Sequence, residues 1–167
     1  MNDIKTMLAD AEKRVKLKGI EFFERLSNEL NIWLETQNIS TRIDDSGFWS
    51  YCSDTDTIGI CVFDSIEEIN DWEKFLYEDL HYENWYPSFY TSFFHELGHA
   101  FTYHCFSLND RLTANRSLTT FDYFHSPIEK TATIWGMTYI QEHKDAFERL
   151  RAAIDPILDE VTEYYEG

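Results

Sequence analysis

With 167 residues, 43 % of them hydrophobic and 17 % aromatic, the chain has the material for one domain, residues 1–167, with a full core. Its 31 acidic residues against 14 basic ones give a formal charge of -17, which disfavours direct contact with a phosphate backbone. Acidity of this size serves solubility first; attraction of a basic protein, or mimicry of DNA toward a DNA-binding partner, are the functional alternatives. The opening Met1-Asn2-Asp3-Ile4-Lys5 has no signal-peptide core, and no stretch reaches membrane-spanning length, so a cytoplasmic protein with no membrane partner is expected. Cys52, Cys61 and Cys105 form no C-x-x-C and read as reduced, mostly buried thiols.

Residues 1–37 predict helix, with Leu8, Ala11, Val15, Phe23, Leu26, Leu30 and Trp33 or Leu34 as the packing stripe and a break at Lys18-Gly19. Its basic cluster, Lys13, Arg14, Lys16 and Lys18, reads as a solvated face. Three short strands follow, Ile39 to Ile43, Phe48 to Cys52 and Ile58 to Phe63, joined by Asp44-Asp45-Ser46-Gly47 and Ser53-Asp54-Thr55-Asp56. A small antiparallel sheet is the expectation. A helix should begin near Ser65, with Ser65-Ile66-Glu67-Glu68 as capping box and Ile66, Ile69, Trp72, Leu76 and Leu80 as its stripe. The aromatic run Tyr82 to Pro87 leads into another helix, for which Pro87 is a suitable start. Periodicity fades over residues 105–125, a loop long enough to rim a cleft. Ser126-Pro127 opens a helix to about His143, and a last helical stretch from Asp145 should be interrupted near Pro156. The fold class is therefore α+β, mostly helical, with an antiparallel sheet of about three strands.

The chemistry concentrates at His95-Glu96-Leu97-Gly98-His99. On a helix, residues i and i+4 share one face, so both imidazoles can reach one zinc ion, with Glu96 placed to take a proton from a water there. Apolar residues at 89, 90, 93, 94, 97, 100 and 101 make the opposite stripe, while Ser92, His95, Glu96, His99 and Tyr103 share the polar side. Catalytic zinc usually takes three protein ligands. The extended H-E-x-x-H-x-x-G-x-x-H pattern fails here, since Thr102 and Cys105 stand where its glycine and last histidine would be.

Glu129 is the leading third ligand. Ala132 and Gly136 lie on its side of the same helix and, with Gly98, would allow two helices to approach closely. Ser126-Pro127-Ile128-Glu129 also reads as a capping box, so Glu129 has a competing role at its own helix start. Asp122, His125 and Cys105 are reserve ligands. Tyr103, His125, Tyr123 and Arg111 are candidates for stabilising an oxyanion.

Tyr90 to Ala100, containing H-E-L-G-H-A, together with Glu129-Lys130-Thr131-Ala132, resembles the zincin metallopeptidases of the ImmA/IrrE group and the metalloprotease domain of ArdC-type antirestriction proteins. The resemblance covers about residues 86–137. It implies a zincin-like fold, zinc held by His95, His99 and Glu129, and Glu96 as general base. Two departures stand out: no helix-turn-helix module is visible, and residues 1–85 are too short and acidic for the DNA-binding domain that precedes an ArdC-type protease. The implied protein is a stand-alone protease domain of the kind a phage or other mobile element carries.

These readings give a zinc-dependent endopeptidase as the expected function, acting on a protein or peptide substrate, with a basic or DNA-binding protein as one possible class. A strand around Ile58 to Phe63 would hold the substrate at the sheet edge. The alternative is an acidic antirestriction or inhibitor-type protein that keeps the metal but acts by binding a partner. Glu96 weighs against it, because a metal kept only for structure needs no general base.

Overall fold

The computed structural model describes residues 2–62, 88–116, 119, 122–123 and 125–167. The expected helix from Ser65, the aromatic run Tyr82 to Pro87, Phe63 and His81 lie outside the described residues. The chain opens with α1 (Asn2–Thr36), followed by β1 (Arg42–Asp44), β2 (Ser50–Cys52) and β3 (Thr57–Gly59). Then come α2 (Ser88–Thr102), a 3-10 turn (Tyr103–Cys105), α3 (Leu108–Asn115), α4 (Pro127–Glu142) and α5 (Lys144–Glu166). This is a mostly helical α+β arrangement with a small three-stranded sheet. No helix among the described residues is long and apolar enough to cross a membrane.

Two expected helix breaks do not occur. Helix α1 runs through Lys18-Gly19 unbroken, since glycine costs a helix interior about 1 kcal/mol but keeps its N–H and C=O in the ladder. Helix α5 likewise continues through Pro156. Proline there forfeits roughly 3 kcal/mol, but Ile154, Ile157, Leu158 and Val161 are all buried around it, and each such side chain returns about 1.5–3 kcal/mol. The packing stripe of α1 is buried only in its second half, at Phe22, Leu26, Leu30, Trp33 and Leu34. Leu8 and Val15, expected to pack, are exposed.

The sheet has the order β1-β3-β2 and is mixed, not wholly antiparallel. Strand β3 lies between the other two, parallel to β1 and antiparallel to β2, with Ile43, Ile58 and Tyr51 in register. The reason lies in the segment after β1, expected to be a hairpin turn. It crosses over β3 instead: the Ser46 hydroxyl sits where a Cβ on Gly59 would be, and donates to the Phe48 carbonyl at 2.7 Å. A side chain at position 59 would block that crossing. Strand β3, in the segment expected at an edge, is therefore central, and β2 is an outer strand among the described residues.

The core joins α1, α2, α4, α5 and the sheet. Trp33 meets Phe93, Phe94 and Tyr139 edge-on, and its indole N–H donates to the Ala146 carbonyl at 2.9 Å. Tyr90, fully buried on α2, donates its hydroxyl to Asp155 on α5. Helix α2 is thus fixed from one side by α1 and α5. Trp49 against Phe89, and Tyr51 against Tyr103, tie it to β2 on the other.

Residues 105–125 are not a plain loop. Ser107 and Asp110 make a reciprocal cap, with Ser107 Oγ and N donating to Asp110 Oδ2 at 2.6 and 3.0 Å and Asp110 N donating to Ser107 Oγ at 3.2 Å. That cap opens α3, which packs on α4. Of the three cysteines only Cys61 is buried; Cys52 and Cys105 are exposed.

Candidate metal centre

Helices α2 and α4 cross in close contact because each carries a glycine at the crossing. A Cβ at Gly98 would lie 2.1 Å from the Ala132 carbonyl oxygen, and one at Gly136 would lie 2.4 Å from that of Phe94. The pairs 98 with 132 and 94 with 136 run in opposite directions, so the helices are antiparallel here. Backbone therefore rests on backbone, and the side chains one residue round from the contact, His95 and His99 on α2 and Glu129 and Thr133 on α4, face each other.

His95 Nε2 lies 2.8 Å from Glu129 Oε2, His99 Nε2 lies 3.2 Å from the same oxygen, and the two Nε2 atoms are 3.1 Å apart. These three residues form the one group among the described residues whose side chains could together hold a metal ion. The donor set fits zinc. A tetrahedral ion with nitrogen and oxygen ligands at about 2.0–2.1 Å sets neighbouring donors about 3.3 Å apart, and the observed triangle is slightly smaller than that face. Glu129 is 5 % exposed and His99 8 %, so an anionic carboxylate is held in a nearly dry setting against two imidazoles. Burial pushes the Glu129 carboxyl up, but hydrogen bonds and charge from His95 and His99 outweigh it and hold the group well below the ordinary carboxylate range.

Glu129 does not serve as a cap. Ser126 precedes α4 in extended conformation but makes no side-chain capping bond, and its buried hydroxyl has no hydrogen-bond partner among the described residues. The carboxylate has turned from its own helix start toward the histidines. Of the other reserve ligands, Asp122 accepts the Thr119 hydroxyl at 2.8 Å, Cys105 is exposed, and neither these nor His125 joins the group.

Glu96, next to His95, is 8 % exposed. Burial raises its carboxyl above the ordinary value; His95 and His99 pull it back and Glu129 adds to the rise. A carboxyl raised in this way is suited to hold a proton between two steps of a reaction. Tyr123 also stands at this site. Burial, then the charge of Glu129, its hydrogen bond to that carboxylate and the charge of Glu96 push the phenol up, so it keeps its proton and donates to Glu129. The Tyr103 ring lies edge-on to Tyr51 and under the Arg111 guanidinium, 3.9 Å away, which also donates to the Tyr103 carbonyl at 3.1 Å. Tyr103 and Arg111, both read as oxyanion candidates, pack against each other.

Thr133 was missed by the sequence reading, although it lies at i+4 from Glu129 on the face that the small residues marked. Its hydroxyl is 2.8 Å from His95 Nδ1. Comparisons of the chain with protein-family models, with curated proteins and with solved structures find no match.

Proposed function

We propose that this protein is a zinc-dependent endopeptidase of zincin type, working in the cytoplasm on an intracellular protein. The observation that carries the reading is the triangle of His95, His99 and Glu129 donors, built by residues 30 positions apart, with a buried carboxyl at Glu96 beside it. Zinc bound there would supply Lewis acidity toward a carbonyl oxygen and lower the pKa of a water. Glu96 takes the proton from the attacking water and returns it to the leaving amine, a task for which its raised carboxyl is suited. The protonated Tyr123 phenol, beside Glu129 and Glu96, is the donor assigned to charge that develops on the carbonyl oxygen.

Substrate binding is assigned to β2. It pairs with β3 on one side only among the described residues, packs beside α2, and offers its outer edge to an extended peptide. The overall charge of -17 favours a basic substrate segment, such as one from a DNA-binding protein, over nucleic acid itself. The sequence resemblance to ImmA/IrrE-type and ArdC-type proteases supports the same reaction class.

Replacing Glu96 with Gln keeps the shape and removes the base. The variant should retain about one zinc per chain and lose at least 100-fold in peptide cleavage. Cleavage at the wild-type rate would refute the mechanism. A biological effect lost in His95→Ala but kept in Glu96→Gln would favour the acidic binding-protein reading.

A further inference from the structure

Resting on the metal-centre reading above, a second question concerns what aims His95. A neutral imidazole has one N–H and one lone pair, and only the nitrogen with the lone pair can ligate a metal. The partner at the far nitrogen decides which one that is. For His95 this partner is Thr133, fully buried on α4, with Oγ1 2.8 Å from Nδ1.

The direction of that bond follows from the hydroxyl's other contact. Thr133 Oγ1 donates to the Glu129 carbonyl oxygen at 3.1 Å. With the single hydroxyl hydrogen given to the carbonyl, which only accepts, what faces His95 is an oxygen lone pair. His95 Nδ1 then carries a ring hydrogen, and Nε2, which faces Glu129 Oε2 and His99 Nε2, is the nitrogen left to ligate a metal. A buried threonine with only its own hydroxyl to satisfy would need no more than the carbonyl one turn back. The contact to His95 goes beyond that.

We propose that Thr133 is a positioning residue of the centre. One hydroxyl fixes the tautomer and ring orientation of His95 and ties both to the main chain of Glu129, the residue that brings the third donor. The two helices thereby present their ligands in a single preset arrangement.

Thr133→Val keeps the size and removes both bonds, whereas Thr133→Ser keeps the hydroxyl. Zinc affinity is measured by chelator competition, and the His95 tautomer by nitrogen-15 shifts in the zinc-bound protein. Expected are a 10- to 100-fold loss of zinc affinity in the valine variant, recovery to within about threefold in the serine variant, and Nδ1–H on His95 in wild type. Valine binding zinc as wild type does, serine as weak as valine, or Nε2–H on His95 in wild type would each overturn the proposal. The wild-type tautomer decides the matter even where the valine variant fails to fold. A wild type that binds no zinc would instead sink the metal centre itself, so the two failures are told apart.

Discussion

Gly98→Ala adds one methyl group at the place where α2 rests on α4. That carbon would fall 2.1 Å from the Ala132 carbonyl oxygen, 2.8 Å from the carbonyl carbon and 2.9 Å from Cα, all of them backbone atoms. Real Cβ contacts essentially begin at 3.0 Å, so the helices must part by about 1 Å, as no side chain can swing aside. Overpacking of this kind costs about 1–3 kcal/mol, and alanine's better helix propensity returns up to about 1 kcal/mol. A net loss of about 1–2 kcal/mol lowers the melting temperature of a chain this size by about 2–8 °C. The metal centre should suffer more than the fold. Glu129 sits one turn from Ala132 and retreats with it, opening the 2.8 and 3.2 Å edges to the histidines by up to about 1 Å, against a tolerance of about 0.2 Å in ligand distances. Zinc affinity should fall by at least 10-fold, read by chelator competition alongside thermal unfolding of the metal-free protein. An alanine variant that is no less stable and binds zinc within about threefold of wild type would show that the glycine crossing does not set the ligand geometry.

Zinc at 100 times its dissociation constant should stabilise the wild type by about 2.7 kcal/mol, a rise of roughly 5–11 °C in melting temperature. Glu129→Ala should abolish that rise, and elemental mass spectrometry should find its zinc lost, whereas Asp122→Ala should behave as wild type. Between α1 and α5, Arg25 and Glu160 form a two-pronged ion pair at 2.6 and 2.7 Å. The hydrogen bond from Arg25 holds the exposed Glu160 carboxyl below its ordinary value of 4.5. A depressed carboxyl adds stability above that value and loses it as pH falls through the folded-state value. Glu160→Gln should therefore unfold at a lower temperature than wild type at pH 7, and the gap should close in acid. A gap that persists unchanged at pH 2.5 would assign the difference to packing.

The sequence by itself determined what lies within one helix or one short segment. Two histidines four residues apart share a face whatever surrounds them, and Gly98, Ala132 and Gly136 announced a close helix contact, because small residues at helical spacing have no other packing use on those faces. The Ser107 to Asp110 cap was equally local, though the sequence reading passed it by. Only the tertiary structure decided matters that depend on what lies opposite. Glu129 leads as a ligand in the sequence but keeps a competing reading as a helix cap, until two imidazoles on α2 offer its carboxylate stronger partners than its own backbone does. Strand order followed from a serine that crosses over Gly59, a contact that no alternation pattern encodes. Gly19 and Pro156 stayed helical because interactions beyond the local chain exceed a local penalty of about 1 or 3 kcal/mol. Thr133 acquired its role from a histidine 38 positions earlier. Periodicity tells which face of an element is buried, but it does not name the partner against which that face is buried, and at this centre the partner decides the chemistry.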